Sequence, residues 1–268
     1  MEELRVFKIL RLRDDSIEFI DDEVAVEQAI HLHVNKEHLT TFLATPMKLK
    51  ELAYGHLASE GIIRRASDIE KLTINRFVLN VRIPRHLMTR VRIYSMVRIR
   101  YSSCGQAPEN YVRLLDSLMK LRISSETKFT VKHVFKAIRL LNEKSEVFRR
   151  TGGVHAALLM DLNYNIIGFA EDVGRHNAVD KAVGEALLKG ADFSKLILAC
   201  TGRLSSEMVL KAIRLNIPVL ASIAAPTDAG ISLARKAGLT LIGFVRGRRM
   251  NIYSMPERVV MNSCQRYS

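Results

Sequence analysis

The sequence predicts a mixed α/β protein, with a strand-rich first half and a second half that alternates strands and helices. Between residues 151 and 246, apolar runs recur and helical segments separate them. This alternation is typical of a mixed, largely parallel sheet with helices on both faces. Residues 5–101 instead contain short alternating stretches between turn residues, which indicates a smaller strand-rich unit.

In the first half, residues 5–34 predict short strands, and 23–34 is the most regular of them. Thr45 and Pro46 predict the start of a helix, because threonine caps helices and proline suits their first position. Gly61 is expected to end that helix. Three further strands are expected, at residues 71–83, 90–94 and 97–101.

Arginines alternate with apolar residues in the last two of these strands, at Arg92, Arg98 and Arg100. One face of each strand would pack and the other would present guanidinium groups. No aromatic residues are interleaved for base stacking, so nucleic acid is not the expected partner and a solvated face is the alternative.

The second half begins with an expected helix at 109–122, a polar connection at 124–128 and a helix capped by Thr130. An expected hairpin of strands 154–161 and 166–171 follows. Three helix–strand units complete the pattern, with helices at 177–189, 205–216 and 227–238 and strands at 195–201, 218–223 and 239–246. Such sheets bind ligands beyond the carboxyl ends of their strands.

These patterns divide the chain into three parts: an N-terminal strand-rich domain with one helix (1–103), a cysteine loop with a connecting helix (104–128) and a second domain (129–268). No apolar run approaches the roughly 20 residues of a membrane span. The charged N-terminus lacks an apolar signal region, so we expect a cytoplasmic protein.

The chain carries 41 Lys and Arg against 28 Asp and Glu, a formal net charge of +13. This balance implies an anionic partner. Nucleic acid, a phosphorylated cofactor and an acidic protein all qualify, and a basic surface without a specific partner remains an alternative.

Three widely spaced cysteines argue against a disulfide framework and fit a reducing compartment. No pair has the spacing of a zinc site, so no metal site is expected. Cys104 lies in a small-residue loop, Tyr101 to Pro108, downstream of arginines whose charge favours the reactive thiolate. A reactive thiol and an inert loop cysteine both remain open. Cys200 is expected in the core and Cys264 in a polar tail.

A second candidate site is the loop Gly202-Arg203-Leu204-Ser205-Ser206, which follows a predicted strand and begins a helix. Its small residues allow backbone N–H groups to approach an anion, and a helix N-terminus favours negative charge. The loop is neither a Walker A loop nor a dinucleotide fingerprint. The alternative is that Ser205 only caps the helix.

Asp172, Arg175 and His176 lie at the start of another predicted helix. A carboxylate that orients an imidazole would form a catalytic dyad, whereas a structural hydrogen bond would fix the loop or position a ligand. Both interpretations stay open. His155 begins an apolar strand, where a buried core histidine is the simpler interpretation.

Several motifs together resemble the FdhD family, the sulfur carriers that mature formate dehydrogenase. The second half carries TGGVHAA, EDVGRHNAVDKAVGEAL, TGRLSSEM, APTDAG and GFVRGRRMNIYS. The first half carries TPMKLKELAYGHLASEGII and YSSCG. The resemblance therefore extends over nearly the whole chain.

The resemblance implies a sulfurtransferase that receives sulfur from a cysteine desulfurase as a persulfide, at the position of Cys104. It implies that the sulfur passes to the bis-guanine-dinucleotide molybdenum cofactor of formate dehydrogenase or a related molybdenum or tungsten enzyme. It also implies a homodimer and a cytidine-deaminase-like second domain. The family's cofactor-binding segment falls on Phe244, Val245, Arg246, Gly247, Arg248 and Arg249.

This chain departs from the family's SSCGxCG loop, because Ala107 stands where the second cysteine is common. A disulfide within the loop is thereby excluded, while a single persulfide carrier remains chemically sound. A zinc deaminase is disfavoured, because His155-Ala156-Ala157 lacks the required glutamate and no CxxC exists. A nucleotide- or nucleic-acid-binding module without sulfur transfer is the remaining alternative.

Overall fold

The computed structural model describes residues 2–97 and 121–261. The Cys104 loop, Cys264 and nearly all of the helix expected at 109–122 therefore lie outside the described residues. Within the described ranges the chain is a mixed α/β protein with helices and several sheets, as the sequence predicts.

A long hairpin opens the described chain. Strands β1 (Leu4–Arg13) and β2 (Ser16–Ala25) pair with each other and with no other strand among residues 2–97 and 121–261. The hairpin is held near its base, where the Arg150 guanidinium donates to both carboxylate oxygens of Glu23. The sequence predicts strands here, and the structure shows two long ones.

A four-stranded sheet follows, formed by β3 (Gln28–Val34), β4 (Glu37–Ala44), β5 (Lys71–Asn75) and β6 (Val78–Arg82), in the order β4-β3-β6-β5. The single strand predicted at 71–83 is thus a hairpin. It turns at Arg76, whose φ of 54° lies in the left-handed region. Buried residues alternate along β3 and β4, so one face packs inward.

Helix α1 (Leu49–Ser59) starts later than predicted. Its N-cap is Lys48, with a φ of 51°, and not Thr45. The polar groups of Thr45 are used instead in contacts with the second half of the chain. Tertiary hydrogen bonds have therefore overridden a favourable local capping signal.

The strand predicted at 90–94 is wrong, because residues Met88–Val97 form helix α2. Alternating arginines and β-branched residues favour a strand, yet Leu87 and Val91 are buried with helical spacing. The strand predicted at 97–101 begins at the end of this helix, and its remaining residues lie outside the described chain.

The described part of the second half contains a six-stranded sheet and five α-helices. The remaining strands are β7 (Phe129–Thr130), β8 (His155–Met160), β9 (Ile166–Asp172), β10 (Ile197–Cys200), β11 (Val219–Ser222), β12 (Thr240–Arg246), β13 (Arg249–Ser254) and β14 (Val259–Val260). The helices are α3 (Val131–Lys144), α4 (Glu146–Thr151), α5 (Arg175–Leu188), α6 (Ser206–Arg214) and α7 (Asp228–Ala237). The sheet order is β13-β12-β11-β10-β8-β9, and the sequence did not predict β13.

Helices cover both faces of this sheet, as predicted. Along β8, Ala157 and Leu159 belong to a buried cluster shared with α5 and α6, whereas Ala156 and Leu158 belong to a cluster shared with α3. β10, β11 and β12 are parallel, and β8 and β13 run antiparallel to their neighbours. The remaining pair, β7 and β14, is parallel.

Helix α1 of the first half packs backbone to backbone on α5 of the second. A Cβ added at Gly55 would lie 1.6 Å from the Asp180 carbonyl oxygen, and one at Gly184 would lie 1.9 Å from that of Glu51. Only glycine permits this approach. One buried apolar cluster extends from the four-stranded sheet to β8 and α6. The division at 103 and 128 stays a prediction.

Candidate functional site

One edge of the six-stranded sheet collects the strand ends that the sequence singles out. Because β10, β11 and β12 are parallel, the loops that follow them leave from the same edge. Strand β8 runs antiparallel to β10, so its first residue, His155, lies at that edge as well. Asp172, at the end of β9, is the register partner of His155 and lies there too. We call this set of loops the strand-end edge.

Backbone hydrogen bonds join these loops into one surface. Leu204 N donates to Ala225 O over 3.0 Å, and Thr227 N donates to Leu204 O over 3.1 Å. Phe244 N donates to Ala224 O over 3.1 Å. The loop after β10 is thus fixed to the loop after β11, which is fixed to the end of β12. The structure therefore brings the Gly202 loop near the predicted C-terminal segment.

Gly202 is required by the packing of Arg175. A Cβ at Gly202 would lie 2.9 Å from Arg175 Cβ and 3.1 Å from its Cδ. The Gly202 carbonyl accepts a 2.7 Å hydrogen bond from Ser222 Oγ, which fixes the loop to the end of β11. Arg175 Nε is buried and has no hydrogen-bond partner among the described residues. Such a donor is costly to leave unpaired and suits an anionic ligand.

Ser205 is the N-cap of α6, yet its side chain makes no capping hydrogen bond. Ser205 Oγ is buried and, within the described chain, has no partner. The interpretation that Ser205 only caps the helix therefore does not account for its hydroxyl. The hydroxyl lies at a helix N-terminus, where the helix dipole favours negative charge.

His155 lies at this edge and is only partly buried, so it is not a core histidine. Its Nδ1 lies 3.2 Å from Thr201 Oγ1. Burial lowers the pKa of the His155 imidazole below its ordinary value, and the neighbouring Arg175, His176 and Arg203 lower it further. The ring is therefore neutral at neutral pH, in a basic environment.

Asp172 is fully buried and contacts Lys181, with 2.5 Å between Oδ2 and Nζ. Its oxygens also accept hydrogen bonds from three other groups: Thr45 N, Gly174 N and Asn177 Nδ2. His176 Nε2 instead lies 3.2 Å from Glu207 Oε2. The geometry favours the loop-fixing interpretation of Asp172, because its carboxylate holds the loop that precedes Arg175 to the first half of the chain.

The predicted C-terminal segment spans a bulge and a tight turn. Phe244 has a φ of 54°, which is unusual for a bulky residue, and the strand register shifts between Gly243 and Arg246. Gly247 turns the chain between β12 and β13 with a φ of 56°. The side chains of Arg246, Arg248 and Arg249 are exposed. None of these three pairs with a carboxylate of the described residues.

A second charged cluster, which the sequence did not reveal, lies between α1, α5 and α6. Asp180 Oδ1 accepts from Lys211 Nζ over 2.8 Å, and Asp180 Oδ2 lies 2.9 Å from His56 Nδ1. Glu60 accepts from Lys211 over 3.0 Å and from Arg214 over 2.5 Å. We call these five residues the helix cluster. They lie far apart in the sequence, so no local pattern predicts them.

Charge pairing outweighs burial in the helix cluster. Burial acts to raise the pKa of the Asp180 carboxyl, but Lys211 and His56 hold it below its ordinary value. Burial acts likewise on Glu60, whose pKa is held well below the usual range by Lys211 and Arg214. Both groups are therefore ionised at neutral pH.

Cys200 ends β10 in the core, as predicted, and its Sγ lies 3.7 Å from Gly202 O. Burial raises the pKa of the Cys200 thiol to about 11. The group is therefore protonated at neutral pH and is a poor nucleophile.

Comparison with known proteins identifies the family. The model of the FdhD/NarQ family matches residues 25–260. The chain belongs to the FdhD/NarQ family. It is 34% identical to the sulfur carrier protein FdhD of Halalkalibacterium halodurans over 94% of each chain, and 37% identical to that of Sulfurisphaera tokodaii over 94% of this chain and 98% of the other.

A solved structure of a family relative has the same fold. A putative formate dehydrogenase accessory protein from Desulfotalea psychrophila superposes with a TM-score of 0.76 at 27% identity, covering 97% of this chain and all of that one. The resemblance inferred from the motifs is thus confirmed. The similarity of the second domain to cytidine deaminases stays a prediction.

This FdhD/NarQ protein shows no group of three or more His, Cys, Asp or Glu that is arranged to hold a metal ion within residues 2–97 and 121–261. In the same ranges, no helix has both the length and the apolar character needed to cross a bilayer. Cys104, the predicted sulfur-carrying residue, lies outside those ranges, and its role stays a prediction.

Proposed function

We propose that this protein carries sulfur as a persulfide on Cys104 and transfers it to a molybdenum cofactor that bears two guanine dinucleotides, for use by formate dehydrogenase. Family membership over nearly the full length supports the general role, because the relatives are named sulfur carriers and the solved relative is named a formate dehydrogenase accessory protein. Beyond this general role, we propose the persulfide chemistry on Cys104 and the identity of the cofactor that receives the sulfur.

The observation that carries the cargo proposal is the pair of unpartnered buried groups, Arg175 Nε and Ser205 Oγ, beside the N-terminus of α6. A guanidinium and a helix N-terminus bind phosphate oxygens well. Gly202 leaves room for Arg175 in this position. These groups fit one pyrophosphate of the cofactor, and Arg203 is an exposed donor on the same loop.

The turn at Arg246, Arg248 and Arg249 supplies further positive charge, and we propose that it contacts the same substrate. Its arginines are exposed and lack carboxylate partners in the described chain. The strained Phe244 would present its ring beside them. Strained backbone of this kind clusters at ligand-binding sites.

In the proposed cycle, the Cys104 thiolate attacks the terminal sulfur of a desulfurase persulfide. The new S–S bond forms on Cys104 as the desulfurase thiolate leaves. In the second transfer the S–S bond on Cys104 breaks and the Cys104 thiolate leaves. The transferred sulfur is at the sulfane level, so it would take two electrons from a reduced form of the substrate cofactor's own metal to become a sulfide there. The proposed partners are therefore a cysteine desulfurase and a molybdenum or tungsten enzyme, in the cytoplasm, and the carrier is proposed to act as a homodimer.

The test is mass spectrometry of the protein after incubation with a cysteine desulfurase, its cofactor and cysteine. We expect a mass increase of one sulfur atom that maps to the peptide containing Cys104 and disappears on treatment with a reductant. The Cys104→Ala variant should acquire no sulfur and should fail to activate formate dehydrogenase.

Cys200→Ala is the matched control, because the thiol of Cys200 is buried and protonated at neutral pH. We expect this variant to carry sulfur as the unmodified protein does. Sulfur on Cys200, or full activation of formate dehydrogenase by Cys104→Ala, would contradict the proposal.

A binding module without sulfur transfer is the second candidate, and the basic strand-end edge favours it. Guanine-nucleotide binding without any sulfur on Cys104 would support this alternative. RNA that outcompetes guanine nucleotides, with an affinity that falls steeply with salt, would point to nucleic acid instead.

A further inference from the structure

The free side of β5 presents backbone groups that no described residue uses. β5 is the last strand of the four-stranded sheet and pairs on one side only, with β6. On β6, the carbonyls of Phe77 and Val81 accept hydrogen bonds from the β3 side. Leu72 is the register partner of Val81, so this pair exchanges no hydrogen bond. Leu72, and Ile74 two residues on, therefore direct their N–H and C=O groups outward. We call these four groups the β5 edge.

The same chain closes the edge of its six-stranded sheet at β9, where side chains bind the outward backbone groups. Lys48 Nζ donates to Phe169 O over 2.6 Å, and Phe169 N donates to Glu185 Oε2 over 3.2 Å. Lys189 Nζ donates to Ile167 O over 2.8 Å. Proteins commonly block edge strands in such ways. No hydrogen bond from the described residues covers the β5 edge, so it is open to another strand.

The charge around the β5 edge has one sign. Residues 71–108 contain eight Lys and Arg and no Asp or Glu. Three of the basic residues lie exposed on the β5–β6 hairpin, namely Lys71, Arg76 and Arg82. Arg82 pairs with Glu70, just before β5. A partner at this edge therefore meets net positive charge, which acidic side chains complement.

We propose that the β5 edge binds, as an added strand, an extended acidic segment of the protein that donates sulfur to Cys104, the proposed cysteine desulfurase. Alternating backbone donors and acceptors match those of a peptide strand, and strand addition is a recurrent mode of peptide recognition. Nucleic acid has no such backbone. A protein is therefore the anionic partner that this edge fits.

The side chains of β5 specify the kind of segment. Leu72 and Ile74 project to the face on which their partners Val81 and Leu79 are buried, and Ile74 is 39% exposed at the edge. Lys71 projects to the opposite face. An added strand would place apolar side chains beside Ile74 and acidic ones beside Lys71. The segment should therefore alternate apolar with acidic residues.

The position of the β5 edge in the chain favours the sulfur donor as its occupant. The run without acidic residues that contains β5 also contains Cys104. β5 lies at the opposite end of its sheet from β4, and the residue after β4, Thr45, is the one that bonds to Asp172 at the strand-end edge. The β5 edge is thus separate from the proposed cofactor site. Donor and cofactor would not compete for one surface.

The first test removes one outward N–H group. Ile74→Pro deletes it and keeps the hydrogen bonds to β6, because proline is tolerated in an edge strand where the N–H faces solvent. We expect its affinity for the cysteine desulfurase of the same organism, measured by biolayer interferometry, to fall at least about tenfold. Ile74→Val keeps the N–H and should bind as the unmodified chain does. Circular dichroism checks that both variants fold. Equal affinities of the two variants would overturn the proposal.

The second test changes charge and leaves the β5 backbone intact. Lys71→Glu should weaken binding of the desulfurase severalfold, because it places like charges beside the added strand. Lys128→Glu changes the net charge equally at an exposed lysine before α3 and should leave the affinity unchanged. The affinity of the unmodified chain should also fall as the salt concentration rises. Equal losses in the two variants would show a general effect of net charge and overturn the proposal.

Sulfur loading separates this inference from the proposed function on which it rests. Glutathione persulfide can give its terminal sulfur to the Cys104 thiolate and leave as the glutathione thiolate, without a docking surface. We expect Ile74→Pro to load from this small donor at the rate of the unmodified chain, but from the desulfurase at least about tenfold more slowly.

Two other outcomes have distinct meanings. Normal loading of Ile74→Pro by the desulfurase, with a failure only in the activation of formate dehydrogenase, would place the recipient enzyme on this edge and overturn the proposal. If neither donor put sulfur on Cys104 of the unmodified chain, the proposed function and this inference would both be overturned.

Discussion

Helix α5 contributes to two charged clusters that differ in how completely they are paired. In the helix cluster, every carboxylate oxygen of Asp180 and Glu60 has a cationic partner. Arg214 Nε is buried without a hydrogen bond in the described chain, but the Arg214 guanidinium is ion-paired through Nη1, whereas Arg175 has no such pair. At the strand-end edge, Arg175 Nε and Ser205 Oγ are buried but unpartnered within the described chain. A charged cluster that neutralises itself stabilises a fold, whereas unpaired buried donors are suited to a ligand. The two regions should therefore respond oppositely to mutation.

The largest effect is expected in the helix cluster. Asp180→Ala removes the only carboxylate that contacts His56 in the described chain and leaves the buried Lys211 with Glu60 alone, which should cost about 3–5 kcal/mol of unfolding free energy. Urea denaturation measures it. Glu143→Ala, at an exposed pair with Arg139, should change the unfolding free energy by less than about 1 kcal/mol. A loss below about 1 kcal/mol for Asp180→Ala would remove the distinction between the clusters.

Arg175→Gln should affect binding more than stability. Loss of one charge-assisted hydrogen bond costs about 1.5–3 kcal/mol, or about 10- to 100-fold in the affinity for GDP. The unfolding free energy should change by about 0.5 kcal/mol or less, because no described group pairs with Arg175 Nε. Calorimetric titration with GDP measures the affinity. The control is Arg139→Gln, which removes an exposed arginine of α3 that pairs with Glu143. Equal losses in both variants would contradict a specific site.

Ser205→Ala tests whether the hydroxyl of Ser205 stabilises the helix or binds a ligand, because the two roles predict different effects on the melting temperature. An ordinary N-cap serine contributes about 1 kcal/mol, which its alanine variant loses. Ser205 Oγ makes no capping hydrogen bond, so we expect an unchanged or slightly increased melting temperature together with a severalfold weaker affinity for GDP. A clear loss of stability with unchanged affinity would show that the hydroxyl serves the helix.

The smallest effect concerns pH. The pKa of His155 is lowered in the folded state, chiefly by burial, so its contribution to stability is present above the unfolded value of about 6.5. That contribution is lost as the pH falls below 6.5 toward the folded pKa. Bound phosphate favours the protonated imidazole of His155, so the affinity for GDP should rise as the pH falls from 7.5 to 5.5. The rise should be weaker in the His155→Gln variant. If that variant and the unmodified protein showed the same dependence of GDP affinity on pH, this coupling would be excluded.

The sequence predicts the second half well because local signals and the fold agree there. Apolar runs mark β8 to β12, and parallel strands place their ends at one edge by topology alone. Prediction fails where distant contacts decide. Thr45 bonds to Asp172 instead of capping α1, and the members of the helix cluster meet only after three helices pack. At residues 90–94 the alternating arginines predict a strand, but Leu87, just before α2, and Val91, within it, are buried with helical spacing and the chain forms a helix.

The candidate site divides in the same way. The loop of Gly202 and Ser205 is visible in the sequence because it follows a predicted strand. The same holds for the arginines after the last predicted strand, Arg246, Arg248 and Arg249. The sequence also singles out Arg175, at the start of a predicted helix, but its close approach to Gly202 depends on packing that only the fold creates.

The most direct test of the account is a crystal structure of the protein with GDP, which carries the guanine and pyrophosphate of the proposed cargo. The account predicts phosphate oxygens within hydrogen-bonding distance of Arg175 Nε and Ser205 Oγ, which are buried at the strand-end edge without a partner in the described chain. GDP bound elsewhere, with both groups still unpartnered, would contradict it.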